Sequence, residues 1–121
     1  ILASYPTRTH LVNAFIKEVA KIGDLVLSRC TEIKELPKDL EVNGNLVLSG
    51  CTGLKALPAG LTVNGCLSLY GCTGIKALPT GLKVNGYLDL SGCTGLKELP
   101  KDIKVKGTVI GFYKKPTILI Q

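Results

Sequence analysis

The chain has 121 residues, of which 45% are apolar, so its length and composition fit one globular domain and exclude long disordered tracts. No apolar stretch approaches the roughly 18 residues of a membrane-spanning helix. Fifteen Lys and Arg against nine Asp and Glu give a net charge of +6, which favours acidic partners. The basic residues are nearly all Lys and aromatic residues are few, which argues against nucleic acid as the partner. Because the chain contains no Met, we expect a fragment or a processed chain.

The N-terminal segment has the apolar spacing of a helix. Apolar residues recur on one helical face at Leu11, Val12, Phe15, Ile16 and Val19. We therefore predict that residues 1–22 form a capping helix at one end of the domain.

From residue 23 onward the sequence repeats every 21 residues. One unit reads GNLVLSGCTGLKALPAGLTVN from residue 44 to residue 64, and the next unit follows it almost letter for letter. The same interval separates all members of three sets: Cys30, Cys51, Cys72 and Cys93; Pro37, Pro58, Pro79 and Pro100; Gly23, Gly44, Gly65, Gly86 and Gly107.

A unit of this size cannot bury its own apolar face, so the units must stack on one another. Each contains one short alternating strand, a turn rich in Gly and Thr, and a Leu-Pro segment that is too short for an α-helix. Residues 23–107 are therefore predicted to form a solenoid with one short parallel strand per coil. The turns and irregular Leu-Pro segments form its convex side.

The repeat ends after residue 107. Gly111 stands where the second Leu of the strand is expected, and Lys114 stands where the Cys is expected. We predict that residues 108–121 form a C-terminal cap strand, with Phe112, Tyr113 and residues 117–120 covering the open edge.

Two other folds are compatible with parts of the pattern. Val-Asn-Gly occurs at residues 42–44, 63–65 and 84–86, and this sequence is typical of hairpins. An antiparallel meander would not need the same Cys, Pro and Lys in every unit, so strict identity argues against it. A parallel β-helix with two strands per coil remains an alternative.

The spacing of Leu46, Leu48, Cys51 and Leu54, followed by Leu57-Pro58, resembles the leucine-rich repeat in the variant that has Cys in place of the ladder Asn. The 21-residue unit with Leu-Pro is most similar to the short bacterial class found in effector proteins. The resemblance covers residues 23–113, about three quarters of the chain. It implies a bacterial protein that binds other proteins and needs no cofactor.

Stacking places equivalent residues of successive coils in a line, which we call a column. The column of Cys30, Cys51, Cys72 and Cys93 is straight and converges on no point, so we predict buried thiols and no metal site. Free buried thiols favour a reducing compartment, which is the cytoplasm or, for an effector, the host cytosol. Cys66 precedes the strand by one residue and is predicted to point outward.

No catalytic residues are predicted. The only His, His10, lies in the capping helix, so the sequence offers no arrangement of a nucleophile with a base. A second column, Lys34, Lys55, Lys76 and Lys97, could bind phosphates or an acidic polymer, although a solvated charged face is the simpler interpretation.

The outward positions of the strands vary, while the inward positions repeat almost unchanged. This contrast is typical of a binding face on a uniform scaffold, although unconstrained surface positions vary as well. We predict partner contacts at six residues: Tyr70, Tyr87, Asp89, Asn45, Ser68 and Ser91.

The leading hypothesis is a non-enzymatic protein-protein interaction module that binds through the face of its parallel sheet. Two alternatives are a structural protein that self-associates end to end, and the substrate-recognition part of a larger effector.

Overall fold

The computed structural model describes the backbone of residues 8–112 and the side chains of residues 12–112. Within these residues the chain forms one helix, α1 (Arg8–Ile22), followed by short two-residue strands. The strands are β1 (Leu25–Val26), β2 (Glu41–Val42), β3 (Leu46–Val47), β4 (Thr62–Val63), β5 (Leu67–Ser68), β6 (Lys83–Val84), β7 (Leu88–Asp89), β8 (Lys104–Val105) and β9 (Val109–Ile110).

The strands form two parallel sheets that share one 21-residue register. The front sheet has the order β1-β3-β5-β7-β9, and the back sheet has the order β2-β4-β6-β8. Leu25 pairs with Leu46 in the front sheet, and Val42 pairs with Val63 in the back sheet. The chain is therefore a parallel β-solenoid with an N-terminal helix, as predicted, and the antiparallel meander is excluded.

Each coil contains two strands, whereas the leucine-rich-repeat interpretation expected one. The second strand forms because the residues after the Leu-Pro segment are extended and bond to the preceding coil. Thr62 N donates to Leu40 O at 3.1 Å, and Asn64 N donates to Val42 O at 2.9 Å. Two strands per coil is the arrangement expected of the β-helix alternative.

A residue in the left-handed conformation lies on each side of the Leu-Pro segment, between it and the strand that precedes or follows it. Gly50 (φ 76°) follows the front strand, and Gly60 (φ 75°) precedes the back strand. Glycine adopts this conformation without the steric cost that other residues incur. In the first coil Arg29 and Asp39 occupy the equivalent positions, with φ of 62° and 56°.

The core consists of identical or closely similar side chains stacked along the solenoid axis. Seven columns point inward, and in the central coils nearly every member is fully buried. The inward residues of the second coil are Leu46, Leu48, Cys51, Leu54, Leu57, Leu61 and Val63. Each coil thus buries its apolar side chains against its neighbours, which explains why a unit this short repeats so strictly.

Helix α1 packs against β1 and β2 at the N-terminal end of the solenoid. Ile16 is 2% exposed and Ala20 is fully buried, whereas Phe15 is 66% exposed. The helix therefore uses a narrower apolar face than the sequence predicted. Its last turn is bonded to the first coil by Asn43, whose backbone N donates to Ala20 O at 2.9 Å and whose Nδ2 donates to Lys21 O at 2.6 Å.

At the other end, β9 continues the front sheet by pairing with β7. Phe112 packs against the core. Gly111 adopts a φ of 80°, so the chain leaves the extended path at the position where a strand Leu is missing. The remainder of the predicted cap, residues 113–121, lies outside the described residues. In the part of the chain that is described, no helix is long and apolar enough to cross a bilayer.

Candidate functional site

The outward side chains of the front sheet form a continuous surface, which we call the front face. It comprises the outward positions in and beside β1, β3, β5, β7 and β9: Asp24, Val26 and Ser28; Asn45, Val47 and Ser49; Cys66, Ser68 and Tyr70; Tyr87, Asp89 and Ser91; Thr108 and Ile110. Phe112, at the next alternate position, packs against the core instead. Asp24 and Asp89 are the charged residues of this set.

Large exposed apolar side chains of the coils are concentrated at this sheet. Among the described residues, four that the coils expose by more than a third lie on the outward side of this sheet: Val26 (60%), Tyr70 (58%), Tyr87 (44%) and Ile110 (40%). Val109 (37%) is in register with the buried Leu88, so it belongs to the inward column of the last described coil. The other exposed large apolar residues, Val12, Phe15 and Ile22, belong to α1. Exposed apolar surface with few charges is typical of contact sites.

The two tyrosines lie on adjacent coils but at opposite ends of their strands. The register pairs Leu67 with Leu88 and Ser68 with Asp89, so Tyr70 aligns with Ser91 and Tyr87 aligns with Cys66. Four residues of extended chain separate these positions by about 13 Å along the strand direction. The predicted tyrosine patch is therefore a diagonal across the front face, with Asp89 between the two rings.

Hydrogen bonds hold the polar residues of the front face in place. Ser91 N donates to Asp89 Oδ1 at 2.9 Å, which fixes the carboxylate of Asp89. Ser68 Oγ and Ser49 Oγ are 3.2 Å apart and share a hydrogen bond. The structure thus brings Ser68, Asp89 and Ser91 together on two neighbouring coils.

Asn45 has a structural role that its sequence position did not indicate. Its Oδ1 accepts the backbone N–H of Cys66 at 2.7 Å, and Asp24 Oδ1 accepts the N–H of Asn45 at the same distance. Cys66 Sγ continues the series by accepting the N–H of Tyr87 at 3.4 Å. Cys66 is thus explained as one member of a column, Asp24, Asn45, Cys66 and Tyr87, which we call the acceptor column.

A second set of side-chain bonds was also missed. Asn85 Nδ2 donates to Asn64 Oδ1, and Asn64 Nδ2 donates to Asn43 Oδ1, both at 3.2 Å. Together with the bond from Asn43 to the end of α1, these bonds form an asparagine ladder along the edge of the coils. The 21-residue spacing of the three asparagines was a sufficient signal for such a ladder, but the Val-Asn-Gly sequence was considered only as a hairpin signal, against which the strict repeat argued.

The inward cysteines donate hydrogen bonds to the preceding coil. The Sγ atoms of Cys51, Cys72 and Cys93 lie 2.9, 3.0 and 3.0 Å from the carbonyl oxygens of Leu27, Leu48 and Leu69. Burial raises the pKa of the Cys72 thiol to about 11 and also raises the pKa of Cys51 and Cys93. These thiols therefore keep their protons at neutral pH and serve as weak buried donors.

The described residues contain five free cysteines and no group of three or more His, Cys, Asp or Glu that could hold a metal ion. Compared with known proteins, the chain matches no family model, no curated protein and no solved structure.

Proposed function

We propose that the chain is a non-enzymatic recognition module that binds a protein partner through the front face. The observation that carries this proposal is that the large exposed apolar side chains of the coils are concentrated at the front sheet. The resemblance of the repeats to leucine-rich repeats implies the same mode of binding. It also implies that the module could serve as the substrate-recognition part of a larger bacterial effector.

Tyr70 and Tyr87 are the proposed anchors of the interface. Tyrosine buries a large area at a modest cost in conformational entropy, and it is enriched among the residues that dominate binding energy. Asp89, fixed by Ser91 between the two rings, would add a directed polar contact. Ser68 lies next to Asp89, and Asn45 contributes through its amide group because its Oδ1 is bonded within the protein.

The dimensions of the front face favour a modest affinity. Five strands at the usual spacing extend about 20 Å along the solenoid axis. Each strand contributes about five residues, or roughly 17 Å, across the face, so the face covers roughly 350 Å². This area is smaller than the roughly 800 Å² per partner of a standard stable interface unless neighbouring surfaces take part. A partner with an extended or convex surface would fit a face of this length.

The test compares three forms of the chain as bait for protein capture from cell lysate, followed by titration with the purified partner. The Tyr70→Ala/Tyr87→Ala variant should bind the partner more than tenfold more weakly than the parent. Phe15→Ala is the matched control, because it removes an exposed aromatic ring from α1 rather than from the front face. It should bind like the parent.

Thermal unfolding of the tyrosine variant should stay close to that of the parent, since both side chains lie outside the core and are 58% and 44% exposed. The proposal is wrong if the double variant captures and binds the same proteins as the parent. It is also wrong if Phe15→Ala weakens binding to the same extent.

The position of α1 argues against the end-to-end assembly hypothesis. The helix packs against β1 and β2, so the first coil of one copy cannot continue the last coil of another unless the helix is displaced. Light scattering at increasing concentration checks this point, because filament growth would favour assembly over recognition.

A further inference from the structure

The front face is acidic although the chain is basic. The whole chain carries a net charge of +6, yet no Lys or Arg occurs among the outward residues of the front face, where Asp24 and Asp89 are the charged residues. Asp24 is exposed ahead of β1, whereas Asp89 is half-buried in β7. Interfaces place charges of opposite sign against each other. The front face therefore favours a cationic group, in contrast to the acidic partners that the net charge alone would favour.

The carboxylate of Asp89 has no cation beside it in the structure. Within residues 12–112 the ion pair is between Lys21 and Glu18 on α1, at 3.7 Å. Asp89 Oδ1 accepts the N–H of Ser91 at 2.9 Å, and Oδ2 accepts no hydrogen bond from any residue that the structure describes. A half-buried carboxylate has lost part of its hydration, so it gains most from a group that supplies both a positive charge and hydrogen-bond donors.

The two tyrosines of the front face lie on either side of this carboxylate. Tyr87 precedes Asp89 by two residues and faces the same side of the sheet, so their Cα atoms are about 7 Å apart. On the neighbouring coil, Gly71 N donates to Ser91 O at 2.8 Å, which holds Tyr70 beside the end of β7. The Cα of Tyr70 is therefore about 8 Å from that of Asp89, in the direction away from Tyr87.

Diagonal neighbours at this separation remain within reach of aromatic and other long side chains. Both tyrosine side chains are exposed, so their ring faces are open to a ligand. A cation that pairs with Asp89 therefore lies between two aromatic rings, where it can interact with their π-systems as well as with the carboxylate.

We infer that the front face binds its protein partner through an arginine side chain of the partner, whose guanidinium pairs with Asp89 between the rings of Tyr70 and Tyr87. The guanidinium is planar, always charged and weakly hydrated, so it can donate to a carboxylate and stack on aromatic rings at the same time. Arginine is also enriched among the residues that dominate binding energy. This inference rests on the proposed function, because it names the chemical group that the partner presents to the same face.

Other charged groups fit this position less well. The ammonium of lysine is a compact and strongly hydrated charge without a flat surface for the rings. A phosphate or a carboxylate would place a second negative charge beside Asp89, which disfavours nucleic acids and acidic segments at this face.

The experiment selects peptides that bind the whole parent chain from a random peptide library displayed on phage. Peptides that are no longer captured by Tyr70→Ala/Tyr87→Ala bind the front face, and these should be enriched in Arg. The best of them is synthesised with Arg, Lys or Gln at the enriched position and titrated against the parent by calorimetry. Gln should weaken binding about tenfold, because a charge pair and a cation–π contact are lost, and Lys should fall between Arg and Gln.

Asp89→Asn tests the same contact from the side of the protein. Asn keeps an oxygen that can accept the N–H of Ser91 but lacks the charge, so the Arg peptide should bind about fivefold more weakly. The Arg and Gln peptides should then differ by only about twofold, since the two changes remove the same interaction. Glu41→Gln is the charge-matched control, because Glu41 is exposed in β2 of the back sheet. It should bind the Arg peptide like the parent.

Three results would overturn the inference and leave the proposed function intact. The front-face peptides could show no preference for Arg, the step from Arg to Gln could cost as much in Asp89→Asn as in the parent, or Glu41→Gln could weaken binding as much as Asp89→Asn. Selected peptides that all bind Tyr70→Ala/Tyr87→Ala as well as the parent would contradict the inference and the proposed function together.

Discussion

Two columns of the solenoid contain cysteine, and they use it in opposite ways. In the inward column, Cys51, Cys72 and Cys93 are buried and each donates its S–H to a carbonyl of the preceding coil. In the acceptor column, Cys66 receives a backbone N–H from the following coil at 3.4 Å. The first column never changes its residue within these coils, whereas the second changes at every coil.

The difference follows from what each environment requires. An inward residue must match the space left by its neighbours and must stay uncharged. Its thiol gives a second hydrogen bond to a carbonyl oxygen that already accepts a backbone N–H. An acceptor-column residue needs only an atom that can approach one N–H, and water can replace it where that atom is missing. Asp24 and Asn45 meet this need with bonds of 2.7 Å.

The largest expected effect comes from a change that breaks both the acceptor column and the backbone beneath it. In Gly65→Ala, the new Cβ would lie 2.9 Å from the carbonyl carbon and oxygen of Gly44 and would collide with Asn45 Oδ1. Because backbone atoms cannot move aside, we expect the free energy of unfolding to fall by about 3 kcal/mol. Urea denaturation followed by circular dichroism measures it.

Gly23→Ala is the matched control for this prediction. Gly23 belongs to the same column, but a Cβ there would meet no atom within 4 Å. Its unfolding free energy should stay within about 0.5 kcal/mol of the parent. If both variants lost the same stability, close approach of the coils would not be the reason for glycine in this column.

The inward column is tested by Cys72→Ala, which removes a buried donor and leaves a small void. The expected cost is about 1–2 kcal/mol at neutral pH. In the parent, burial raises the pKa of Cys72 to about 11, so the folded state holds this proton more tightly than the unfolded state does. The resulting stability is complete below pH ~8.5, where an unfolded thiol is protonated, and is lost as the pH rises toward the folded pKa.

Denaturation curves between neutral pH and pH ~11 therefore measure the same residue in a second way. The parent should lose stability across this interval more steeply than Cys72→Ala, because the variant lacks one of the buried thiols whose pKa is raised. Parallel pH profiles for the two proteins would mean that the buried thiols do not differ from those of the unfolded chain.

The register and the core were predictable because each coil packs on a near copy of itself. Residues of the same type at an interval of 21 therefore make equivalent contacts. The back strand was not predictable to the same degree, since its two inward residues, such as Leu61 and Val63, give only a minimal alternation after a Leu-Pro segment that has none. The outward residues of the front face were predictable from the alternation of inward and outward positions along each strand. The separation of Tyr70 from Tyr87 depends on strand register, and the role of Asn45 depends on how closely Gly65 approaches the preceding coil.

The smallest expected effects lie within the acceptor column and rank its members by the quality of their bonds. Asn45→Ala removes a 2.7 Å acceptor from Cys66 N and should cost about 1 kcal/mol. Cys66→Ala removes a weak sulfur acceptor at 3.4 Å and should cost a few tenths of a kcal/mol. Both changes leave the inward columns untouched, so the difference between the two losses of stability reflects mainly the two acceptor bonds. If Cys66→Ala lowered the free energy of unfolding as much as Cys72→Ala, the outward thiol would contribute as much stability as a buried one. The proposed difference between the two columns would then be wrong.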